Sequence, residues 1–538
     1  MQIQQPIIIV GGNVVGLSAA LSLAVHKVPS IIIEKHIEIS KHPRAIGFTS
    51  RTMEIFRTFG CVNKIPQVPR DFELKRARVE SLSGQWYEST TWDDTGMKED
   101  SEKKSRGPST DDDVESPRME YSQFPGAAIP QDQLESILEE AALQHGVEIR
   151  RGFTAVHVEQ DATGVTVTVT DAHGETSQLR GRYLIAADGN RSDVREQLNI
   201  PRHGRGHLQT MRSVLFRADL EELCKGVKQF TIEQPDLKAF LTTYSDGRWV
   251  LMFYDDVDRD EQTLIAEIHK AVGRNDIAID FITTGRWELA ALIADKFQDG
   301  RIFLAGDAAH TLPPNRGGYG ANTGIHDVDN LAWKLASVLS GQSTPELLET
   351  YDTERRPVAQ LRHDQIFVRS DYKIHLNEKS VTGEKLDNDA MEFGELYKSR
   401  GFFGVSDDLP PAKKPDEWAG QPGTHVPHFW VKKDEEVVSI QYLLGSRHWT
   451  LVSEEIGWRK VVAWVNERSP VQMKCMQIGA DVGISDIEVF RQTMGLPSKG
   501  ASLIRPDGYI AWRTTDMPSE PFKILHDVLS QVAFAKSI

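Results

Sequence analysis

Cysteine is scarce in this chain, and metal-binding patterns are missing from its sequence. Its 538 residues include three cysteines, Cys61, Cys224 and Cys475, which lie far apart and form no C-x-x-C pair. This spacing excludes a zinc knuckle or a local redox pair and favours a reducing compartment. The 17 histidines form no H-E-x-x-H motif. The sequence therefore predicts no metal site.

An excess of basic charge and long apolar runs are also missing. The formal net charge is −16, whereas nucleic acids and anionic membranes select basic surfaces. No apolar run reaches the roughly 18 residues that a membrane helix needs. The first 30 residues have neither a basic start nor a cleavage-like site. We therefore expect a cytoplasmic protein with no membrane span and no nucleic-acid partner.

The amino terminus has the pattern of a dinucleotide-binding βαβ unit. An apolar run from Pro6 to Val10 predicts a buried strand, and the turn Gly11-Gly12-Asn13-Val14-Val15-Gly16 follows before a helix. A second strand ends at Glu34, where such units place an acidic residue for a ribose hydroxyl. Asn13 replaces the middle glycine of G-x-G-x-x-G, and we attribute this to the tolerance of asparagine for positive φ. An ordinary β-turn-α unit is the alternative interpretation.

A longer motif lies between Gly300 and Trp333. A predicted strand from Ile302 to Ala305 leads into Gly306-Asp307 and a loop with paired prolines and several glycines. A helix opens near Asn322 and is predicted to stop at Gly341. Glycines let the backbone approach a ligand closely, and the helix start supplies unpaired N–H groups and a positive dipole. Such a site suits an anionic or electron-accepting ring.

Three further segments lie between these two motifs. The first is His42-Pro43-Arg44-Ala45-Ile46-Gly47, and the second is a helix opened by Pro130-Gln131. The third is a predicted strand, Tyr183 to Ala187, that leads into the turn Asp188-Gly189. Taken alone, a solvated helical turn explains Gln131, and Asp-Gly turns are common in α/β proteins.

In this order, the five segments resemble the fingerprints of FAD-dependent aromatic hydroxylases of the para-hydroxybenzoate hydroxylase type. The resemblance implies FAD as cofactor and NADPH or NADH as co-substrate. In the family, the aspartate at the position of Asp307 binds the ribityl chain, and the glycine-rich loop presents amides to the flavin pyrimidine. The FAD contacts that the resemblance implies are Gly11, Gly12, Asn13, Gly16, Glu34, Arg44, Ala45, Gly47, Gln131, Asp188, Gly189, Asp307, Pro314, Gly318, Gly320, Ala321 and Asn322.

The resemblance also implies an α/β fold of three parts. A Rossmann-like FAD-binding domain occupies residues 1–75, 121–205 and 289–408, the last with a helical connection. An inserted β-sheet substrate domain occupies 76–120 and 206–288, with a charged, mobile excursion at 93–117 and a hairpin around Asp246-Gly247. The segment 409–538 resembles the thioredoxin-like tail of phenol hydroxylase and polyketide hydroxylase relatives, without C-x-x-C. For this tail we predict packing or an oligomer contact, such as a homodimer.

The function implied by this family is oxygenation of an aromatic ring. NAD(P)H reduces FAD, dioxygen forms a C4a-hydroperoxyflavin, and a phenolic or polyketide-type substrate is hydroxylated, as in secondary metabolism. A base or cation near the phenol oxygen would ease its deprotonation, and the candidates in the predicted substrate sheet are Tyr244, Arg248, Tyr254 and Arg286. Baeyer–Villiger oxygenation or epoxidation of a polyketide-like scaffold is the alternative. A flavin-binding scaffold without catalysis is a third, which Asn13 alone favours.

Overall fold

A computed structural model describes most of the chain. The described residues are 5–42, 44–70, 72, 74–92, 120–314, 318–368, 383–444 and 448–536. Two parts of the predicted motifs and segments lie outside these residues. They are the excursion at 93–117 and Pro43 of the segment from His42 to Gly47. The elements below are numbered within the described residues.

The strands belong to three main sheets and several small ones. In chain order they are β1 (Ile7–Val10), β2 (Ser30–Glu34), β3 (Gly47–Phe48), β4 (Leu74–Val79), β5 (Trp86–Trp92), β6 (Ala127–Ala128), β7 (Glu148–Arg151), β8 (Thr154–Gln160), β9 (Val165–Thr170), β10 (Thr176–Gly181), β11 (Leu184–Ala186), β12 (Arg202–Arg217), β13 (Gln229–Glu233), β14 (Lys238–Thr243), β15 (Arg248–Phe253), β16 (Asp280–Ala294), β17 (Gln298–Asp299), β18 (Ile302–Leu304), β19 (His310–Thr311), β20 (Trp430–Lys433), β21 (Glu436–Ser439), β22 (Trp449–Ser453), β23 (Met473–Gln477), β24 (Gly483–Ile484), β25 (Ala501–Ile504) and β26 (Ile510–Thr514).

The helices pack on these sheets or join them. In chain order they are α1 (Val14–Val25), α2 (Ser50–Thr58), α3 (Gln131–Gln144), α4 (Asp193–Gln197), α5 (Glu221–Cys224), α6 (Glu261–Val272), α7 (Tyr319–Leu339), α8 (Thr350–Val368), α9 (Asn388–Phe393), α10 (Ile440–Leu443), α11 (Gly457–Asn466), α12 (Ile487–Met494) and α13 (Pro521–Val532).

The first sheet has the order β17-β18-β11-β1-β2-β7, and its four pairings from β18 to β7 are parallel. The apolar run Ile7–Val10 forms the buried centre of this sheet. A parallel strand with helices packed on both faces has no solvent-exposed face, so all of its side chains can be apolar. Helix α1 packs against α3 and α7 over this sheet. The predicted βαβ unit at the amino terminus is confirmed, and the glycine turn lies at the carboxyl end of β1, where such sheets bind ligands.

The second sheet, which we call the roof sheet, has the order β19-β16-β12-β15-β14-β13-β4-β5. Side chains alternate between the two faces of a strand, so Phe216 and Leu251 join the core that α6 covers, whereas Ser213, Leu215 and Val250 point to the opposite, inner face. The hairpin predicted around Asp246-Gly247 is confirmed as the antiparallel pair β14–β15.

The third sheet, in the tail, has the order β23-β22-β25-β26. Strand β23 is parallel to β22, and β25 is antiparallel to both β22 and β26. With α11 and α13 packed on one side and α12 on the other, this is a thioredoxin-like arrangement, as expected. The predicted Asp507-Gly508 hairpin joins β25 to β26. Burial raises the pKa of the Cys475 thiol in β23 to about 11, so little of the reactive thiolate is present at neutral pH.

A buried charge network, which we call the tail network, joins the tail to α7 and α8. Both oxygens of Glu354 accept hydrogen bonds from Arg505, at 2.8 and 2.9 Å, and Lys334 Nζ lies 2.7 Å from Oε2. Arg505 also pairs with Asp507, whose Oδ2 accepts from the Trp333 indole at 3.1 Å. All of these side chains are almost wholly buried, so each charge depends on its partners.

The pKa values express this dependence. Burial alone would raise the pKa of Glu354, but Arg505 and Lys334 hold it well below its usual range. Burial lowers the pKa of Lys334 to about 8 against the opposing attraction of Glu354. The carboxylate of Glu354 is therefore the centre of the contact between the tail and the rest of the chain.

We predict that Glu354→Gln destabilises the protein strongly. The change leaves Lys334 without its carboxylate and Arg505 with Asp507 alone, and breaking a buried pair in this way costs about 3–5 kcal/mol. Urea unfolding followed by tryptophan fluorescence measures the loss in unfolding free energy. Glu349→Gln, at an exposed position just before α8, is the control and should change it by less than about 0.5 kcal/mol. Equal stability of the two variants would contradict the central role of Glu354.

Candidate functional site

The glycine turn after β1 is packed too tightly for larger residues. A Cβ atom at Gly11, where φ is +109°, would lie 2.2 Å from the carbonyl oxygen of Ala187. A Cβ atom at Gly16 would lie 1.8 Å from the carbonyl oxygen of Gly11. These two glycines therefore let β1, β11 and the start of α1 meet at one point.

Asn13 has a different role from the one expected. Its φ is −85°, so the explanation from positive φ is wrong. Its Oδ1 accepts from the backbone N–H groups of Val15, at 2.9 Å, and Gly16, at 3.3 Å, and its Nδ2 donates to Ala187 O at 2.6 Å. Asn13 is an N-cap that also ties α1 to the end of β11. The residue pattern Asn-x-x-Gly before an apolar helix was the available signal for this cap.

Glu34 ends β2 beside the same turn. Its Oε2 accepts from the Gly12 backbone N–H at 2.6 Å, and only 8% of the residue is exposed. A Cβ atom at Gly12 would lie 2.9 Å from the Cβ of Glu34. The backbone N–H of Val14 donates to Glu135 Oε1 at 3.0 Å. The carboxylates of Glu34 and Glu135 therefore both lie at the positive end of α1.

The segment from Arg44 to Thr49, which we call the 44–49 loop, is held by α3. Ala45 N donates to Gln131 Oε1 at 3.1 Å, and Gln131 N donates to Ala45 O at 3.0 Å. Gly47 pairs with Ala128 in the short β3–β6 ladder, and a Cβ atom there would meet nothing within 4 Å. The loop thus has one face bonded to protein and one face open at Gly47.

Asn322 connects this loop to the start of α7. Its Oδ1 accepts from Thr49 N at 3.1 Å and from Thr52 Oγ1 at 2.7 Å. Its Nδ2 donates to Gly318 O at 2.7 Å and to Gly47 O at 3.2 Å. The sequence predicted only a ligand contact here. The structure uses the whole side chain to hold two loops together.

The start of α7 forms an accessible rim beside the 44–49 loop. Gly318 has a φ of +57° immediately before the helix, and Gly318, Gly320 and Ala321 are half-buried. Pro314 is exposed on the preceding segment. A Cβ atom at Gly320 would have no neighbour closer than Leu312 O, at 3.8 Å. Open backbone at a helix start is the geometry that binds an anionic or electron-poor ring edge.

Two carboxyl groups near this rim have acceptor oxygens without protein donors among the described residues. Asp307 follows β18 in a half-buried recess, where burial raises its pKa although His310 and Arg44 lie close enough to oppose this. Asp188, before Gly189, accepts from Val194 N at 3.2 Å through Oδ2, whereas its buried Oδ1 has no partner there. Burial raises the pKa of Asp188 as well. Such oxygens fit a ligand rich in hydroxyl groups, and FAD carries these on its ribityl chain and ribose.

His310 and Asp327 support Asp307 from below, and the sequence did not predict this. Asp327 Oδ2 lies 2.7 Å from His310 Nε2 and accepts from Gly306 N at 3.2 Å. Arg355 Nε donates to Asp327 Oδ1 at 2.8 Å, and all three side chains are wholly buried. The histidine of the Gly-Asp-Ala-Ala-His motif is thus a structural residue that fixes the turn carrying Asp307.

The candidate cations of the substrate sheet are engaged with carboxylates. Arg248 donates to Asp132 at 2.8 Å, and a second of its nitrogens lies 2.7 Å from Asp246. Arg286 is exposed and forms ion pairs with Asp256 and Glu288. The charges of both guanidinium groups are therefore balanced by carboxylates of the protein, without a substrate phenolate.

The two candidate tyrosines differ in exposure. Tyr244 is 8% exposed and belongs to the inner face of the roof sheet, with Arg248 5.6 Å from its ring. Tyr254 is 37% exposed just after β15. Burial raises the pKa of both phenols above the ordinary value, so neither is a phenolate at neutral pH.

The described residues show no sign of a membrane-spanning helix or of a metal site. No described helix is long and apolar enough to cross a membrane. Within the described ranges, no cluster of three histidine, cysteine or acidic side chains could hold a metal ion. A small pocket lies between α1, α2, α7 and the tail, with Arg51, Asp329 and His425 in its lining. None of the predicted FAD contacts lines it.

Comparison with known families gives two matches. The FAD binding domain family matches residues 4–365, and the aromatic-ring hydroxylase C-terminal family matches residues 419–533. The chain therefore belongs to the FAD-dependent aromatic-ring hydroxylases. This membership confirms the predicted cofactor, FAD, and the predicted class of enzyme, a monooxygenase.

Similar proteins cover the chain from end to end. Tetracenomycin A2 monooxygenase-dioxygenase of Streptomyces glaucescens is 34% identical over 98% of this chain and 96% of its own length. The 4-methyl-5-nitrocatechol 5-monooxygenase of Burkholderia sp is 33% identical, with 98% of both chains covered. Among solved structures, aklavinone-11 hydroxylase with FAD and aklavinone superposes with a TM-score of 0.86 at 30% identity, covering 99% of this chain and all of the other.

We predict that Glu392 makes the support of the 44–49 loop sensitive to pH. Its Oε1 accepts from Arg51 N at 2.7 Å at the start of α2, and burial raises its pKa to about 7, well above the ordinary 4.5. An acid with a raised pKa in the folded state stabilises the fold fully below pH 4.5 and loses this contribution as the pH rises through 7.

Glu392→Gln keeps an acceptor for Arg51 N but cannot titrate. We expect the fall in unfolding free energy between pH 5 and pH 8 to shrink by about 2 kcal/mol relative to wild type. The melting temperature measured at four pH values across this range tests it. Glu417→Gln, an exposed acid nearby, should keep the wild-type pH profile. An unchanged profile in Glu392→Gln would show that Glu392 does not titrate in this range.

Proposed function

We propose that this enzyme hydroxylates a phenolic or polyketide-type aromatic ring with NAD(P)H and dioxygen, as a step of secondary metabolism. Support comes from the names of its full-length relatives, which act on tetracenomycin A2 and a nitrocatechol, and from the aklavinone bound by the solved hydroxylase. These compounds are all phenols or polycyclic aromatic polyketides. We propose a substrate of the same chemical class.

The proposed FAD contacts follow the carboxyl edge of the first sheet. The first turn, from Gly11 to Gly16, lies beside the pyrophosphate, with Glu34 toward the adenosine, although Gly12 N and Val14 N already bond to carboxylates in the structure. Asp307 receives the ribityl hydroxyl groups, for which its unfilled acceptors are suited. The 44–49 loop and the rim before α7 face the flavin ring. When bound, FAD supplies electron transfer from NAD(P)H and the activation of dioxygen.

The observation that carries the proposal is the position of the inner face of the roof sheet. Ile46 of the 44–49 loop packs in one apolar cluster with Leu215, Val250 and Met252 of this face. In this proposal, the backbone of the 44–49 loop that faces the flavin therefore lies next to an apolar wall, which is formed by the side chains of the inner face of the roof sheet. A flat aromatic ring between them is oriented by the wall and shielded from water, as oxygen transfer requires.

We further propose a cytoplasmic enzyme that forms a homodimer through its tail. The separate, reduced cysteines suit the cytoplasm. Val437 and Ile456 are more than half exposed on the tail surface, and apolar side chains of this kind suit a contact with a second copy. Light scattering of the purified protein measures the oligomeric state.

We predict that the aromatic substrate stimulates NAD(P)H oxidation and receives one oxygen atom from dioxygen. The panel to be tested is tetracenomycin A2, aklavinone and 4-methyl-5-nitrocatechol, with NADH and NADPH in parallel. Heavy-oxygen labelling and mass spectrometry identify the product. A hydroxylated ring supports the proposal, whereas oxygen inserted beside a carbonyl or an epoxide establishes the alternative chemistry. Complete absence of NAD(P)H oxidation in FAD-loaded enzyme would instead indicate a scaffold.

We predict that Asp307→Ala weakens FAD binding far more than Glu34→Ala does. Asp307 offers charge-assisted acceptors in a recess, and their loss costs about 1.5–3 kcal/mol, or roughly 10- to 150-fold in affinity. The Glu34 carboxylate already bonds to Gly12 N, so less of its hydrogen bonding goes to the ligand. Fluorescence titration with FAD measures both constants. Wild-type affinity in Asp307→Ala would remove Asp307 from the site.

A further inference from the structure

Among the contacts between the FAD-binding part of the chain and the roof sheet, two are made by residues close in sequence to Ala45 and Gln131. The first, the loop clamp, consists of His42, Ser213 and Trp287. The second, the helix clamp, consists of Asp132 and Arg248 with Asp246. His42 lies three residues before Ala45, and Asp132 directly follows Gln131. Both clamps therefore adjoin the backbone that faces the flavin in the proposed function.

The loop clamp is a chain of hydrogen bonds between side chains. The Trp287 indole N–H, which can only donate, donates to Ser213 Oγ at 2.7 Å. Ser213 Oγ also lies 2.9 Å from His42 Nε2 and 3.5 Å from Gly285 O. The tautomer of His42 decides which atom of the His42–Ser213 pair donates. The His42 and Trp287 rings also pack edge to face at 5.2 Å.

The space around the loop clamp is closed to larger side chains. Ser213 is 2% exposed on the inner face of the roof sheet and lies opposite Gly285 on β16. A Cβ atom at Gly285 would lie 2.7 Å from Ser213 Oγ and 2.9 Å from both His42 Nε2 and Trp287 Nε1. Glycine at this position is what allows the three polar atoms to converge.

The helix clamp is charged. Arg248 donates to Asp132 Oδ2 at 2.8 Å and to Asp246 Oδ2 at 2.8 Å, and Gln133 Nε2 reaches the same Asp246 oxygen at 2.8 Å. Arg248 is 7% exposed. Charge-assisted bonds of this kind are about twice as strong as neutral ones. The helix clamp is therefore the stronger contact, and the loop clamp is the one that opens first.

We propose that His42 and Arg248 are positioning residues that set the spacing between the 44–49 loop and the inner face of the roof sheet. This inference rests on the proposed function, in which the aromatic ring binds between the two. Their spacing determines how close the ring lies to the flavin edge. Loss of the loop clamp lets the loop and the sheet separate, so that NAD(P)H is consumed without oxygen reaching the ring.

The first test measures the clamp itself and needs no substrate. Hydrogen exchange and mass spectrometry of the FAD-loaded protein report the opening of residues 40–49. We expect His42→Ala and Ser213→Ala each to speed exchange there about 5- to 10-fold, the effect of losing one hydrogen bond. The effect of the double variant should be smaller than the sum of the two single effects, because both changes break the His42–Ser213 hydrogen bond. His173→Ala, an exposed histidine in a distant turn, is the control and should behave as wild type.

The second test measures coupling, which is the amount of oxygenated product per NAD(P)H consumed. It uses whichever of tetracenomycin A2, aklavinone and 4-methyl-5-nitrocatechol yields product with the wild-type enzyme. We expect His42→Ala to oxidise NAD(P)H within about twofold of the wild-type rate while product per NAD(P)H falls at least threefold and hydrogen peroxide rises. His42→Gln, which keeps an acceptor near Ser213, should recover part of the coupling. Asp132→Asn should weaken FAD binding as well, because it loosens the helix that carries Gln131.

The outcomes separate this inference from the proposed function. Unchanged exchange at residues 40–49 in His42→Ala, or additive effects in the double variant, would overturn the loop clamp even if no panel compound is a substrate. Full coupling in His42→Ala with an active wild type would overturn the positioning role and leave the proposed function intact. Failure of the wild type with every panel compound would count against the proposed substrate class alone.

Discussion

Glu354 is the residue on which the arrangement of the whole chain depends. Its buried carboxylate is the shared partner of Lys334 on α7 and Arg505 in the tail. Arg505 also pairs with Asp507 within the tail hairpin, whereas the carboxylate beside Lys334 is Glu354. A buried charge is tolerated only with a partner, so α7, α8 and the tail hairpin must come together for Glu354 to have both of its cations. Because α7 also begins at the flavin-facing rim, the tail network fixes the far end of the helix whose near end belongs to the site.

The site itself is built from loops that are held by polar side chains of neighbouring helices. Asn322 bonds to both the 44–49 loop and the residue before α7, and its amide acts as donor and acceptor at once, so that one side chain fixes two segments. Gln131 accepts from Ala45 N through its side-chain Oε1 and donates its own backbone N–H to Ala45 O. The backbone at Gly47 and Gly320 can then remain accessible to a ligand, because the bonds of Asn322 and Gln131 hold these loops rigid from the protein side.

Local patterns predicted the elements of this fold well. The apolar run at Ile7–Val10, the glycine turn and the strand ending at Glu34 all occur as expected, since each is specified by adjacent residues. The hairpins at Asp246-Gly247 and Asp507-Gly508 were predictable for the same reason. Asn13 was explained wrongly although its cap is local, because Val15 N and Gly16 N donate to its Oδ1. Its second bond, to the carbonyl of Ala187, and the bond from Arg248 to Asp132 join residues that are distant in sequence, so local patterns did not predict them.

The sequence by itself determined the class of the protein, because motifs that bind FAD are short and contiguous and their residue types follow from backbone geometry. Only the tertiary structure decided which polar groups are occupied by protein and which remain for a ligand. His310 is bonded to Asp327 beneath the turn, whereas Asp307 three residues earlier has acceptors without donors among the described residues. His42 likewise meets Ser213 across 171 residues of chain. Such pairings arise from packing between distant segments, and no local pattern encodes them.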